Sequence, residues 1–182
     1  MALLKCRERQ NSVNFLVLVP HRDSRIPLRG WSASLFNAGL PGAWSFPWAA
    51  PLTVLHRPLN EKTLKSLAGA LRRQISKNGG KFTAGDSVSA ALPAHIFKEK
   101  SAFIYGPALN ITTELGIEYP VMEPVVMGSA LHYGILPQNL PPPPQISFRA
   151  AAIANMCYWP LPASEYSFEW EIGKLYWLPK QK

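Results

Sequence analysis

Apolar and polar positions along the chain change period several times, and each change marks an element. Asn14-Phe15-Leu16-Val17-Leu18-Val19 is a short, β-branched, continuously apolar run, the signature of a strand buried on both faces. Pro20 to Arg25 ends it. Trp31, Leu35, Phe36 and Leu40 recur at roughly helical spacing, which predicts a short helix up to Ala38, and Gly39-Leu40-Pro41-Gly42 predicts a turn. Trp44-Ser45-Phe46-Pro47-Trp48 is aromatic and broken by proline, and is expected to cap the core or line a cleft. Leu52 to His56 predicts a strand closed by Pro58. Asn60 then stands in an N-cap position with Glu61 in the first turn. Leu64, Leu67, Leu71 and Ile75 follow at steps of three and four, so an amphipathic helix is predicted over Glu61 to Lys77, stopped by Asn78-Gly79-Gly80.

The second half carries less helical signal. Strands are predicted within Phe82 to Leu92, broken near Gly85-Asp86, and within Ser101 to Leu109. Residues 110–137 mix strand-like and turn-like pieces, and Tyr119-Pro120 and Glu123-Pro124 limit regular pairing. Pro141 to Pro144 is a stiff, polyproline-type spacer. At the C-terminal end Tyr166, Phe168, Trp170 and Ile172 alternate with Ser167, Glu169 and Glu171. That period of two puts aromatics on one face and carboxylates in solvent. Gly173-Lys174 interrupts it before Leu175-Tyr176-Trp177-Leu178, which predicts a bent strand or a tight hairpin.

One stretch occurs twice. Residues 45–59 realign without a gap on residues 147–161, with Ser45/Ser147, Phe46/Phe148, Ala49/Ala151, Ala50/Ala152, Pro58/Pro160 and Leu59/Leu161 identical. Two copies point to a duplicated, pseudo-two-fold domain and not to a solenoid. The first copy is followed by a helix and a strand; the second is followed by a short link and a strand.

Composition sharpens this only in part. A chain of 182 residues, 47% hydrophobic and 16% charged, fits one domain or two fused lobes and excludes intrinsic disorder. The net charge of +8 suits an anionic partner such as RNA or a nucleotide. Basic residues cluster at Lys5, Arg7, Arg9, Arg22, Arg25 and Arg29, and again on the outer face of the second helix at Lys62, Lys65, Arg72 and Arg73. Cys6 and Cys157 lie far apart without CxxC spacing and are expected to be free thiols in a reducing compartment. No apolar run has the length of a signal peptide core or a membrane span, so a cytoplasmic protein with no membrane partner is the expectation.

The chemistry-bearing residues form no strong motif. His21, His56, His95 and His132 have no second ligand at metal spacing, and no phosphate-cradling glycine loop is present, so neither metal nor cofactor is expected. Ser129 and His132 are close in sequence but lack a nucleophile-elbow pattern. Glu169 and Glu171 read as solvated strand residues. His21 with Arg22 and Arg25, and His56 with Arg57, are the settings best suited to a phosphate.

Two repeat-related lobes, each built on a short central strand with a following element, resemble the 2H phosphoesterase superfamily, which includes RNA ligase-like and cyclic phosphodiesterase proteins. The resemblance is one of layout over about residues 13–178. It implies an α+β fold: a single bilobal domain over 1–182, lobe one about 14–100 and lobe two about 101–179, with antiparallel sheets around a central cleft. It also implies a His-x-Thr/Ser motif on each central strand, the two histidines acting as acid and base on 2',3'-cyclic or 2'-5' phosphodiesters. The chain departs from that motif. Trp48 and Ala150 stand where the histidines are expected, and Ala50 and Ala152 where the hydroxyls are expected. Neither tryptophan nor alanine moves a proton at neutral pH, and each lost proton-transfer group costs on the order of 10²–10⁴-fold. The resulting expectation is a catalytically degenerate protein with no catalytic residue, holding RNA or a nucleotide between lobes through Arg57, Arg149, His56, Trp48, Trp44 and His21. Two alternatives stay open: an active phosphodiesterase or RNA-end processing enzyme working through His56 or His21, and a structural or protein-interaction domain whose basic surface is incidental.

Overall fold

The computed structural model describes residues 12–44, 47–57, 59–77, 84–91, 103–109, 121–128, 130–132, 135–160 and 166–177. Their order is β1 (Ser12–Pro20), α1 (Arg22–Asn37), a 3-10 turn (Pro41–Trp44), β2 (Ala50–Leu55), α2 (Glu61–Lys77), β3 (Ala84–Ala91), β4 (Phe103–Leu109), β5 (Val125–Val126), β6 (Ala130–His132), β7 (Phe148–Pro160) and β8 (Tyr166–Trp177). The architecture is α+β with two antiparallel sheets. The first has strand order β2-β1-β7-β8; in the second β4 pairs with β3, β5 and β6.

β1 is the organising strand, and its unbroken apolar sequence follows from its place. Leu16 and Leu18 point into one core with Leu28, Trp31 and Leu35 of α1 and Leu67 and Leu71 of α2. Phe15, Val17 and Val19 point into another with Ala152, Ala154 and Met156 of β7 and Ile104 of β4. A strand buried on both faces has no polar side, so it shows no alternation. The short strands of the second sheet also divide between the cores: Tyr105, Val125 and Ala130 join the first, and Ile104, Val126 and Leu131 the second. The sheets therefore meet at the outer edge of β2. Met122 N–H donates to the Leu52 carbonyl at 2.7 Å and Gly128 N–H to the Ala49 carbonyl at 2.9 Å. These bonds cover an edge that would otherwise present open donors and acceptors.

α2 has the predicted bounds. The Asn60 side chain accepts from Thr63 N–H at 2.8 Å and caps its first turn. The predicted stop at residues 78–80 lies outside the described residues. α1 is longer than the short helix expected from the spacing of Trp31, Leu35, Phe36 and Leu40: it starts at Arg22, within the stretch expected only to end the strand. His21 is its N-cap and Pro27 is accommodated inside it. A buried stripe of Ser24, Leu28, Trp31, Ser32 and Leu35 anchors the helix on both sides of that proline. Ser147 ties its first turn down: His21 N–H donates to the Ser147 carbonyl at 2.7 Å, and Ser147 N–H donates to Ser24 Oγ at 3.0 Å. α1 ends where Gly39 takes φ +94°, with Gly39 N–H bonded to Phe36 O and Leu40 N–H to Leu35 O.

The repeats acquire a definite relation. Their strands, β2 and β7, both pair antiparallel with β1, one on each side. Val17 lies level with Pro51 on one side and with Ala152 on the other; Leu18 lies level with Ala50 and with Ala151. The alignment that equates Ala50 with Ala152 is thus displaced by one residue across β1. Ala50 joins the first core and Ala152 the second, because a one-residue slip reverses the face of a strand.

β8 is one bent strand. Ala152 pairs with Leu175 and Ala154 with Ile172, so Gly173 and Lys174 together oppose Ile153 in a bulge. As the alternation predicts, Trp170 packs on the second core, 5.8 Å from the Phe15 ring, while Glu169 and Glu171 are exposed. The break expected at Gly85-Asp86 is a register shift between Ala84 and Ser87.

Candidate ligand-binding site

Strand register divides the sequence-derived site residues into two groups at opposite ends of the first sheet. His56 and Arg57 follow the last residue of β2, whose Leu55 is level with Asn14 near the start of β1. Both are exposed. His21 follows the far end of β1, seven residues beyond Asn14, or about 23 Å at the rise of a strand. One small phosphate cannot touch both groups.

The far end is the richer of the two. Leu18 pairs with Ala50, so Trp48 lies two residues further toward the same end as Pro20. Pro20 pairs with Phe148 of β7, and Arg149 is the next residue of that strand. His21, Trp48 and Arg149 therefore come from or border three adjacent strands and lie at one sheet end, Arg149 being described only as backbone of β7. Trp48 is half-buried against the first core, and its Nε1–H donates to Ser32 Oγ of α1 at 3.3 Å. His21 is half-exposed. Its Nδ1 lies 3.4 Å from Asp23 N–H and 3.1 Å from Asp23 Oδ2. The neutral ring accepts from the backbone; the protonated ring instead pairs with the carboxylate. Trp44 belongs to the 3-10 turn, and only its backbone is described.

Beneath this end the core is largely apolar, with Ser24 and Ser32 of α1 as its buried polar side chains. The buried polar side chains among the described residues are Ser24, Ser32 and Thr53. Ala50 and Ala152, at the positions where phosphate-binding hydroxyls would be needed, are both fully buried. No group of three His, Cys, Asp or Glu side chains among the described residues converges on a metal-sized site. No helix there is long and apolar enough to cross a membrane. Cys6 and His95 lie outside the described residues, and Cys157 is described only as backbone of β7.

Two polar clusters were missed at the sequence level. His132 on β6 approaches Ser89 of β3, with Nε2 and Oγ 2.8 Å apart, while its ring stacks on Phe103 at 5.4 Å. Ser129, its neighbour in sequence, lies outside the described residues. The second cluster ties β8 to α2: Lys174 Nζ lies 2.9 Å from Glu61 Oε1, and Lys65 Nζ lies 3.3 Å from the same oxygen. Hydrogen bonds from Lys174 and Lys65 hold the Glu61 carboxyl below its usual range, and Glu61 raises the Lys174 ammonium above its own. A depressed carboxylate contributes stability above its unfolded pKa, and that contribution is lost as pH falls through the folded value; a raised ammonium contributes below its unfolded pKa and loses the contribution as pH rises through the folded value. Lys174→Met should accordingly lower the melting temperature slightly at neutral pH and leave it unchanged in acid, where Glu61 is protonated. Thermal melts of both proteins across that range check this.

Comparison with protein-family models, with curated proteins and with solved structures finds no match to this chain.

Proposed function

We propose that the protein binds a phosphorylated ligand, RNA or a nucleotide, without turning it over, in the manner of a catalytically degenerate 2H phosphoesterase. In this reading the fold is a duplicated one whose repeat strands, β2 and β7, flank β1 in the first sheet, and the ligand lies at the end of that sheet. The observation that carries it is the placement of His21, Trp48 and Arg149 at one end of the sheet. An arginine supplies charge-assisted donors to a phosphate, an imidazole can hydrogen-bond it, and a tryptophan from the adjoining strand end offers a ring for a base. Base stacking on an aromatic ring contributes roughly 1–3 kcal/mol. The reading without turnover rests on Trp48 and Ala150 at the expected histidine positions, neither able to move a proton at neutral pH, and on the buried Ala50 and Ala152 at the expected hydroxyl positions.

Two substitutions test the binding. Arg149→Ala should weaken a 2',3'-cyclic mononucleotide or short RNA about tenfold, the effect of removing one hydrogen bond to a charged group. Trp48→Ala should weaken the same ligands by a similar factor, whereas His132→Ala should leave affinity unchanged. Calorimetric titration at low and high salt reads all three. Unaltered affinity in Arg149→Ala and Trp48→Ala contradicts the assignment of the site.

A further inference from the structure

The outward face of α1 carries a pattern that ligand binding at the sheet end does not use. At 100° per residue, Arg22, Arg25, Ile26, Arg29, Ala33 and Phe36 fall in one stripe about 100° wide and about 21 Å long. The buried stripe of Ser24, Leu28, Trp31, Ser32 and Leu35 is turned away from it. Ile26 is 82% exposed and Phe36 51%. Beyond the C-terminal end of the helix stands Ile135, fully exposed, two residues before Pro137; the Pro137 ring lies 3.7 Å from where a side chain on Gly39 would begin. Two of the four large hydrophobics exposed among the described residues, Ile26 and Phe36, thus belong to this face; the other two are Ile135 and Ile172.

We infer that this face is a peripheral docking surface for an anionic lipid membrane. Charge complementarity names the partner's sign. The stripe holds three arginines, and the acidic residue beside them, Asp23, is engaged with His21 at 3.1 Å and Arg22 at 3.7 Å. The apolar residues name its nature. Exposed isoleucines gain nothing from a phosphate chain but gain free energy when they enter the boundary between headgroups and acyl chains. Shape agrees: the convex face of a helix can rest on a plane, whereas single-stranded nucleic acids are gripped in grooves. Arginines interleaved with the isoleucine and phenylalanine would meet lipid phosphates at the same depth at which the apolar tips insert. Peripheral contact of this kind requires no spanning stretch. It stands on α1 alone and is independent of the site at His21, Trp48 and Arg149.

Sedimentation of the full chain with lipid vesicles tests the surface. The protein should pellet with vesicles of phosphatidylcholine mixed with phosphatidylserine, and much less with phosphatidylcholine alone. The double substitution Arg25→Ala with Arg29→Ala should weaken that partitioning about twenty-fivefold, since each basic side chain near an anionic surface contributes about fivefold. Ile26→Ser should weaken it about tenfold and should do so in high salt as well. All the changed side chains are exposed, and near-UV circular dichroism verifies that each variant is folded. Equal pelleting on both lipids, no pelleting on either, or pelleting indifferent to these substitutions overturns the proposal. So does loss of oligonucleotide binding in the double variant without any vesicle binding by the parent, which would make the stripe a nucleic-acid surface.

Discussion

Phe15→Ala should reduce the stability of the fold by about 3–5 kcal/mol in urea denaturation, the range for deleting a buried aromatic side chain. The ring is fully buried at the centre of the first sheet. It is level with Val54 on β2 and Ala154 on β7, and its centroid lies 5.8 Å from that of Trp170 on β8. The neighbours cannot close over the space it leaves. β1 is hydrogen-bonded on both edges, and the residues around the ring on its second-core side include Ala49, Ala152 and Ala154, which have no side chain to extend. A void that does not collapse gives the upper part of the range. A domain has about 5–15 kcal/mol in all, so this one change removes a large fraction. Ile26→Ala, on the exposed face of α1, should stay within about 0.5 kcal/mol of the parent. A loss below about 1 kcal/mol for Phe15→Ala would mean that β1 is not the strand around which the cores are built.

The second large effect lies in the other sheet. Gly106 sits in β4 where a side chain would run onto the Met127 carbonyl, with Val126 Cγ1 3.2 Å away. Backbone, not a flexible tip, blocks the space. β4 and β5 are held by two residue pairs, Ala108 with Val126 and Leu109 with Val125, and by the Met127 N–H bond to the Pro107 carbonyl at 3.0 Å. A methyl group at 106 must part these segments and disturb the 122–128 stretch that also covers the edge of β2. Gly106→Ala should therefore destabilise by about 3 kcal/mol, the upper end for overpacking. The identical change at Gly30 should do the opposite. Apart from its chain neighbours and the helix's own backbone, no atom lies within 4 Å of a Cβ built there, and the residue is interior to α1, so alanine should stabilise by up to about 1 kcal/mol. Opposite signs for one chemical substitution, read in the same denaturation experiment, test the close approach between β4 and residues 126–127.

What the sequence disclosed and what it withheld separate along physical lines. Elements that stabilise themselves through a local pattern were legible. α2 has an N-cap, a first-turn acid and an apolar stripe, and it runs over the predicted residues. β1 and β8 were legible for the same reason, one from its unbroken apolar run and the other from its alternation. Elements held by distant partners were not. α1 begins five residues before its proline because Ser147, more than a hundred positions away, holds its first turn. β5 is two residues long and exists only by pairing with β4. The site suffered most. His21, Trp48 and Arg149 are neighbours through the registers of β2 and β7 on β1, and no local signal encodes a register. The repeat misled in a related way. Its alanines match in sequence, yet the structure displaces them by one residue across β1 and turns them to opposite faces.

The central claim is that a phosphorylated ligand is bound and left unchanged at the sheet end formed by His21, Trp48 and Arg149. Phosphorus NMR of a 2',3'-cyclic mononucleotide mixed with the protein tests both halves at once. The account predicts a shifted or broadened cyclic-phosphate resonance, restored to its free position by Arg149→Ala, and no phosphomonoester signal after prolonged incubation. A growing monoester resonance, or a cyclic-phosphate line that the protein does not perturb, would contradict it.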